Sequence, residues 1–271
     1  MYSNLIAVAL SSFLSEKQLS EPPLAYPLSP DLGFSLVENT RTQTTDFIAV
    51  LGRRIPFATM NLIGDTKLQL SIDAAVWSTI RQGDGDAFKV LFSDYLISFP
   101  VTVKYNHFIN EFKFNHVSSH LSDGVRKERI PITYSRDYFS ILVAYENEIA
   151  QRRFLREKYA LSLKFKKYIE LGYIHKLSPK ELENRNLLHL GGELIFLDYT
   201  QQNANIYFAY DITPHPSLEK KFSYSMQLGF MTNMENPYTM RIAFVLFDGL
   251  DYRGQNLGKK LSYLGIGLFI R

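Results

Sequence analysis

The chain has 271 residues, of which 46% are hydrophobic and 21% are charged, and these shares suit a folded protein without deciding its class. The net charge of +3 is too small to indicate a nucleic-acid partner, and the lack of cysteine excludes disulfides, thiolate metal sites and cysteine nucleophiles. The 20 Phe and 17 Tyr favour strands, and tyrosine also favours membrane interfaces.

The N-terminal part of the chain differs in character from the rest. Residues 5–14 (LIAVALSSFL) resemble the apolar part of a signal peptide, but residues 1–4 lack the usual positive charge. An atypical signal segment and a short buried helix both fit. The Pro-rich residues 16–32 predict an extended stretch. We therefore assign residues 1–32 to an N-terminal lead-in and residues 33–271 to one barrel domain.

From there on, hydrophobic and polar residues alternate with a period of two, which predicts strands. In 67–79, for example, Leu68, Leu70 and Ile72 alternate with Lys67, Gln69 and Ser71. The predicted strands are 34–40, 45–52, 54–62, 67–79, 87–105, 107–121, 128–146, 158–165, 168–176, 187–198, 204–212, 221–230, 238–247 and 259–270. Many reach the roughly 9–11 residues that a tilted strand needs to cross a membrane. The sequence contains no run of about 18 apolar residues, so it predicts no membrane-spanning helix.

The bulk of the apolar face favours one architecture. About a dozen strands with four or five large side chains each on one face would overfill a small closed interior. The opposite face carries Ser, Gly, Gln, Lys and Asp, which suits a wet lumen. The sequence therefore predicts an all-β, antiparallel transmembrane β-barrel of about twelve strands, in the range of 12–14. A soluble β-sandwich or lipocalin-like barrel is the alternative.

Two predicted strands change the parity of their apolar residues. The change falls at Ser93–Asp94 in one strand and at Arg136–Asp137 in the other, and each predicts one extra residue, a β-bulge. The charged residues Asp94, Arg136, Asp137 and Glu193 are expected in the lumen as structural ion pairs.

Several segments resemble a known bacterial family. They are Phe92-Ser-Asp94-Tyr95, Phe99-Pro-Val-Thr, His116-Val-Ser118-Ser119-His120-Leu121-Ser122-Asp123, and a tail from Asp248-Gly249 through Gly254-Gln255 to Phe269. This order resembles the domain of unknown function 1207 family, and the likeness covers most of residues 24–271. It implies an outer-membrane barrel and no particular reaction. Ser122, Gly124 and the final Arg271 depart from the pattern, which has Gly and an acidic residue at the first two positions and often an aromatic end.

One strand carries residues that could perform chemistry. On 107–121, period two places His116, Ser118 and His120 on one face with Phe112, which predicts the lipid side near the strand end. A serine between two imidazoles has a base within reach, and Glu128, across a tight hairpin, is the predicted acid. The two histidines lie about 13 Å apart along the strand, too far to share one ion, so no metal or other cofactor is predicted.

The His116-Val-Ser118 spacing also resembles the His-x-Ser pair of outer-membrane lipid A deacylases. That resemblance implies a serine esterase or deacylase acting on an envelope lipid, with His116 or His120 as the base. The first interpretation of the chain is nevertheless a structural or passive barrel of undetermined role in the cell envelope, whose polar residues hydrogen-bond headgroups, neighbours or loop backbone. The hydrolase and a passive pore or transporter are the alternatives. The expected partners are membrane lipids or lipopolysaccharide and the barrel-insertion machinery, without nucleic acid. Oligomeric state is left open.

Overall fold

The computed structural model describes residues 18–83, 87–122, 132–154, 159–178, 185–198, 205–215, 222–232 and 239–271. The signal-like residues 5–14 lie outside these ranges, as do Gly124 and Glu128. The strands are β1 (Leu32–Asn39), β2 (Thr44–Asn61), β3 (Lys67–Gln82), β4 (Phe88–Tyr105), β5 (Phe108–Leu121), β6 (Tyr134–Phe154), β7 (Tyr159–Ser178), β8 (Asn186–Asp198), β9 (Asn205–Pro214), β10 (Phe222–Met231), β11 (Met240–Leu250) and β12 (Lys260–Ile270), with one 3₁₀ turn at Gly254–Asn256. No helix in these ranges is long and apolar enough to cross a membrane.

The strands form a closed antiparallel barrel. Each strand pairs with its neighbours in the chain, and β1 pairs with β12 from Leu32–Ile270 to Asn39–Tyr263, which closes the ring of twelve strands. The predicted all-β antiparallel barrel is therefore confirmed. Two pairs of predicted strands prove continuous, 45–52 with 54–62 in β2 and 158–165 with 168–176 in β7. The first break was predicted at Arg53, next to Arg54, and the second at Lys166 and Lys167; Arg54 and Lys166 are buried inside the barrel.

The apolar side chains point outward and the polar ones inward. On β10, Phe222 and Phe230 are 44% and 55% exposed, whereas Ser225 and Gln227 between them are buried. Because a water-soluble barrel would bury the larger apolar residues, this arrangement is that of a membrane barrel. The predicted orientation of the two faces is confirmed, and the soluble sandwich or lipocalin-like alternative is wrong.

Buried ion pairs lie in the lumen. Arg54 donates to both oxygens of Asp73, at 2.7 and 2.8 Å, and to both oxygens of Glu111, at 2.6 and 3.0 Å. Lys113 lies 2.8 Å from Glu170. Such charges avoid a large desolvation cost because each has a partner of opposite sign.

The described part of the lead-in, residues 18–31, runs inside the barrel. The Leu24 amide donates to Glu193 at 2.8 Å, and Lys166 donates to the Glu21 carbonyl at 2.6 Å. Near β1, Asp31 binds Arg241 at 2.7 Å and Arg271 at 2.6 Å. The lead-in therefore occupies part of the space that an open pore would require.

A second segment enters the lumen from the other end. Residues 251–259, between β11 and β12, include the 3₁₀ turn and are called the closing segment below. The Arg253 guanidinium lies over the Phe92 ring at 5.0 Å and pairs with Asp251 at 2.6 Å. The two segments reach into the barrel from opposite ends, because the chain termini and the β11–β12 connection are at opposite ends of an up-and-down barrel.

The predicted bulges occur at different residues. Thr79 pairs with Phe92 and Ile80 with Val90, so the extra residue of β4 is Leu91 and not Ser93 or Asp94. The bulge predicted in β6 is wrong, because β6 pairs with β5 without interruption from Tyr134 to Tyr145. The apolar residues of β6 change from even to odd positions because Tyr134 and Tyr138 point into the lumen, whereas the later apolar residues point outward. The bulge next to this position is in β7: Asp137 pairs with Lys176 and Tyr138 with Ile174, so His175 is the extra residue.

Candidate functional site

Strand β5 presents three polar side chains on the outer surface of the barrel. His116, Ser118 and His120 alternate with Val117 and Ser119, which are buried in the lumen. The outward face of the same strand begins with apolar residues, including Phe112, which is 47% exposed. The polar residues follow near the end of β5 at Leu121, at the end of the barrel opposite the chain termini.

An acid lies beside one of these histidines. Asp137 of β6 is directly opposite His116 in the strand register, and its Oδ1 lies 2.5 Å from Nδ1 of His116. The His116 side chain is 43% exposed and that of Asp137 is 16% exposed. Because the Nδ1 hydrogen is held by the carboxylate, Nε2 is the ring nitrogen left to accept a proton.

This arrangement corrects one expectation. Of the charged residues predicted to line the lumen, Asp94, Arg136 and Glu193 do so, but Asp137 faces outward. Regular alternation along β6 explains the outcome: Arg136 and Tyr138 share the inward parity, so Asp137 has the outward one. The predicted acid, Glu128, lies outside the described residues, and Asp137 is the acid that sequence reasoning missed. The register of β5 against β6, once known, identifies it.

The second histidine has different surroundings. The His120 ring meets the Tyr95 ring edge-on with centroids 5.6 Å apart, and no carboxylate of the described residues binds it. Ser118 lies between the two histidines and pairs with Tyr95 on one side and Ser135 on the other. The catalytic roles assigned to His116, Ser118 and His120 stay predictions. The outward polar residues on the adjacent strands β5 and β6, called the outer polar patch, are His116, Ser118, His120, Ser135 and Asp137.

The outer polar patch borders the apolar belt. Ile97, opposite His116, is 49% exposed, and Phe139, two residues after Asp137, is 42% exposed. The His175 ring at the β7 bulge stacks on Phe139 with centroids 5.4 Å apart. A lipid lying against this surface would have its acyl chain on aromatic and aliphatic side chains and its polar groups near His116 and Ser118.

The inward residues of the same motifs hold the closing segment. The Gly254 amide donates to Asp94 at 2.8 Å, and Gln255 donates to the carbonyls of Ser119 at 2.9 Å and Ile132 at 2.7 Å. A Cβ at Gly254 would lie 2.2 Å from the Tyr134 ring, so glycine permits this close approach. The motif residues thus divide by strand face: the inward ones close the lumen, and the outward ones form the outer polar patch.

Comparisons with known proteins agree with the barrel. The family described as "Protein of unknown function (DUF1207)" matches residues 13–270. No curated protein matches the chain. The chain is similar to outer membrane phospholipase of Salmonella typhi, solved as a dimer with bound calcium, with 10% identity, a TM-score of 0.55 and coverage of 97% of both chains.

Two structures of outer membrane phospholipase A from Escherichia coli are also similar. The structure of an active-site mutant gives a TM-score of 0.53 with 9% identity, and the second structure gives 0.52 with 10% identity, each over 97% of both chains. At such low identity these likenesses establish the fold, an outer-membrane-type barrel, and leave the chemistry to be argued from the residues present.

Proposed function

Since the chain belongs to the DUF1207 family, whose description carries no reaction, we propose from its own geometry that it is a serine hydrolase acting on membrane lipids. Ser118 is the nucleophile, His116 the general base and Asp137 the acid that orients the base. The observation that carries the proposal is the 2.5 Å contact between Asp137 and His116 on the lipid-facing surface, two residues from Ser118.

The reaction proposed is hydrolysis of an acyl ester. The Ser118 hydroxyl oxygen attacks the ester carbonyl while Nε2 of His116 takes its proton, and His116 then protonates the leaving alcohol. Water, deprotonated by His116, attacks the acyl-serine and releases a fatty acid and free Ser118. Asp137 holds the ring in the tautomer with Nδ1–H and stabilises the imidazolium that forms.

Two features support a lipid substrate. The outer polar patch opens onto the hydrocarbon belt, so an ester in a bilayer would reach Ser118 without leaving the membrane. The three solved structures described above are named phospholipases. A phospholipid or the acyl chains of lipopolysaccharide would present such an ester at this depth.

We also propose that the barrel resides in the bacterial outer membrane, inserted there by the barrel-assembly machinery. Its longest connections, residues 122–133 and 251–259, are at the end where the outer polar patch lies. Long loops of such barrels face the cell exterior. The candidate site would then be at the outer leaflet, where lipopolysaccharide is the neighbouring lipid.

The lumen supports a hydrolase better than a pore. The lead-in and the closing segment enter from opposite ends, and buried charge pairs such as Arg54 with Glu111 cross the space between the walls. A hydrolase with an outward site needs no open channel. A transporter would have to displace both segments.

The test measures fatty-acid release by mass spectrometry from vesicles of defined phospholipid, with and without lipopolysaccharide. The wild-type barrel should release fatty acid, and Ser118→Ala should reduce the rate by about 10³-fold or more. Ser262→Ala is the matched control, since Ser262 shares the outward parity of Leu264 near the same end of the barrel but lies on β12, opposite Asp248 and away from His116 and Asp137. A fluorophosphonate should label Ser118 in the wild type. Equal release from wild type and Ser118→Ala would reject the proposal.

A further inference from the structure

A cavity of about 430 Å³ lies inside the barrel, between the lead-in and the closing segment. Its size is within the range of sites that hold small ligands. The walls are largely apolar and include Leu28 of the lead-in, Ile174 and Leu177 of β7, and Phe247 of β11. The site is separate from the outer polar patch, because it opens into the lumen and not onto the lipid-facing surface.

One charge in the cavity wall forms no ion pair with the described residues. Arg136 lines the cavity, and within the described residues its Nε has no hydrogen-bond partner. The Tyr138 ring lies 5.2 Å from its guanidinium carbon, and Asp94 acts on it through its charge without a hydrogen bond. The Tyr134 hydroxyl, in the same wall, also lacks a partner among those residues. Two unsatisfied donors, one of them cationic, create a place for an anion.

The other ionisable groups of the wall are already engaged. Asp251 pairs with Arg253 at 2.6 Å, and His189 contacts Asp211 at 3.1 Å. His215 lies 2.8 Å from the Ser223 hydroxyl, and burial lowers its pKa, so it is neutral at neutral pH. Arg136 is therefore the unpaired permanent charge of the wall as far as the structure describes it.

We infer that this cavity binds a single-chain anionic amphiphile, with its carboxylate or phosphate on Arg136 and Tyr134 and its tail along the apolar wall. An anion would remove the cost of an unpaired, largely buried guanidinium. A hydrocarbon tail would cover the side chains of Ile174, Leu177 and Phe247. A sugar would not cover the apolar side chains of this wall, and a free inorganic anion would bind Arg136 but leave the apolar side chains uncovered. The inference does not depend on Ser118 or on hydrolysis.

The test uses the barrel in nanodiscs of zwitterionic lipid, titrated by calorimetry with decanoate and decyl phosphate as anionic probes and decanol as the neutral probe. We expect saturable binding of one anionic probe per barrel, absent from empty nanodiscs and weaker by about tenfold or more for decanol. The stronger of the two anions identifies the headgroup as carboxylate or phosphate. Equal binding of decanol, or no saturable component, would overturn the inference without any variant.

Variants then locate the site. Arg136→Gln should weaken binding by about tenfold or more, and Leu177→Trp should prevent it by filling the cavity. Arg41→Gln is the matched control, an exposed arginine at the same end that pairs with Asp248 at 3.7 Å, and it should bind as wild type does. Ser118→Ala should also bind normally, which separates this result from that of the hydrolase test. Unchanged binding by a folded Arg136→Gln would refute the site.

Discussion

Asp31 is the acid that fixes the lead-in to the end of the barrel, and its replacement by asparagine gives a direct test of the filled lumen. Its two oxygens bind Arg241 at 2.7 Å and Arg271 at 2.6 Å, and the side chains of these arginines are 1% and 10% exposed. Arg241 also donates to Gln227 at 3.1 Å. Asp31→Asn would leave the buried Arg241 without a carboxylate, whereas Arg271 would keep Glu21 at 3.9 Å and the Pro22 carbonyl at 2.7 Å.

The size of the effect follows from the burial of these charges. Removing one partner of a buried ion pair costs about 3–5 kcal/mol, because the remaining charge is left uncompensated. The lower value applies here, since asparagine keeps one acceptor and Arg241 keeps Gln227. A change of about 3 kcal/mol shifts the equilibrium between the bound and the released lead-in by roughly 100-fold.

Trp77 reports this change without a label. It is the sole tryptophan, is 4% exposed, and lines the same small cavity as Leu24 and Ala25 of the lead-in. We expect Asp31→Asn to shift Trp77 fluorescence to the red in detergent and to make residues 18–31 sensitive to protease. Asp65→Asn, in an exposed turn, is the control and should change neither signal. Fluorescence and cleavage identical to wild type would refute the assigned role of the Asp31 ion pairs.

Further predictions concern charge, catalysis and conductance. Burial alone would raise the pKa of Asp31, but Arg271 and Arg241 hold it below its usual value. The stabilisation from these ion pairs is therefore complete above about pH 4 and is lost as the pH falls through the lowered pKa. An acid titration followed by Trp77 fluorescence tests this direction. Arg54→Met should lower the free energy of unfolding by about 3–5 kcal/mol in guanidinium titrations, because two buried carboxylates lose their cation. His116→Asn should reduce fatty-acid release by about 10²-fold or more, and His120→Asn by much less; equal losses would contradict the choice of His116 as base. In planar bilayers the wild type should show little conductance, and large steady currents would contradict the filled lumen.

The barrel itself could be predicted from local pattern. Apolar and polar residues alternate along β3 and β10, and this alternation predicts their two faces because strand side chains point alternately to opposite sides. The same rule places His116, Ser118 and His120 on one face without any knowledge of the neighbouring strands. Where the prediction failed, in β6, the cause was Tyr134 and Tyr138, apolar rings that face a polar lumen.

The acid of the candidate site could not be predicted in this way. Asp137 is 21 residues from His116 in the chain, and their contact depends on the register between β5 and β6. The connection between these strands, residues 122–133, contains the turn-forming pair Asp123-Gly124, which by itself predicts a tight hairpin and a different register. A tight hairpin favoured Glu128, whereas the actual register brings Asp137 opposite His116.

The sequence by itself determined the closed antiparallel barrel and its apolar exterior, since these depend on period-two alternation within each strand. The tertiary structure alone decided what fills the lumen. The contacts of Asp31 with Arg271 and of Gly254 with Asp94 join residues 240 and 160 positions apart. Contacts of that range depend on how strands close around distant segments, and no local periodicity records them. The same holds for Arg136, which forms no ion pair with the described residues, a fact that depends on the positions of all the neighbouring strands.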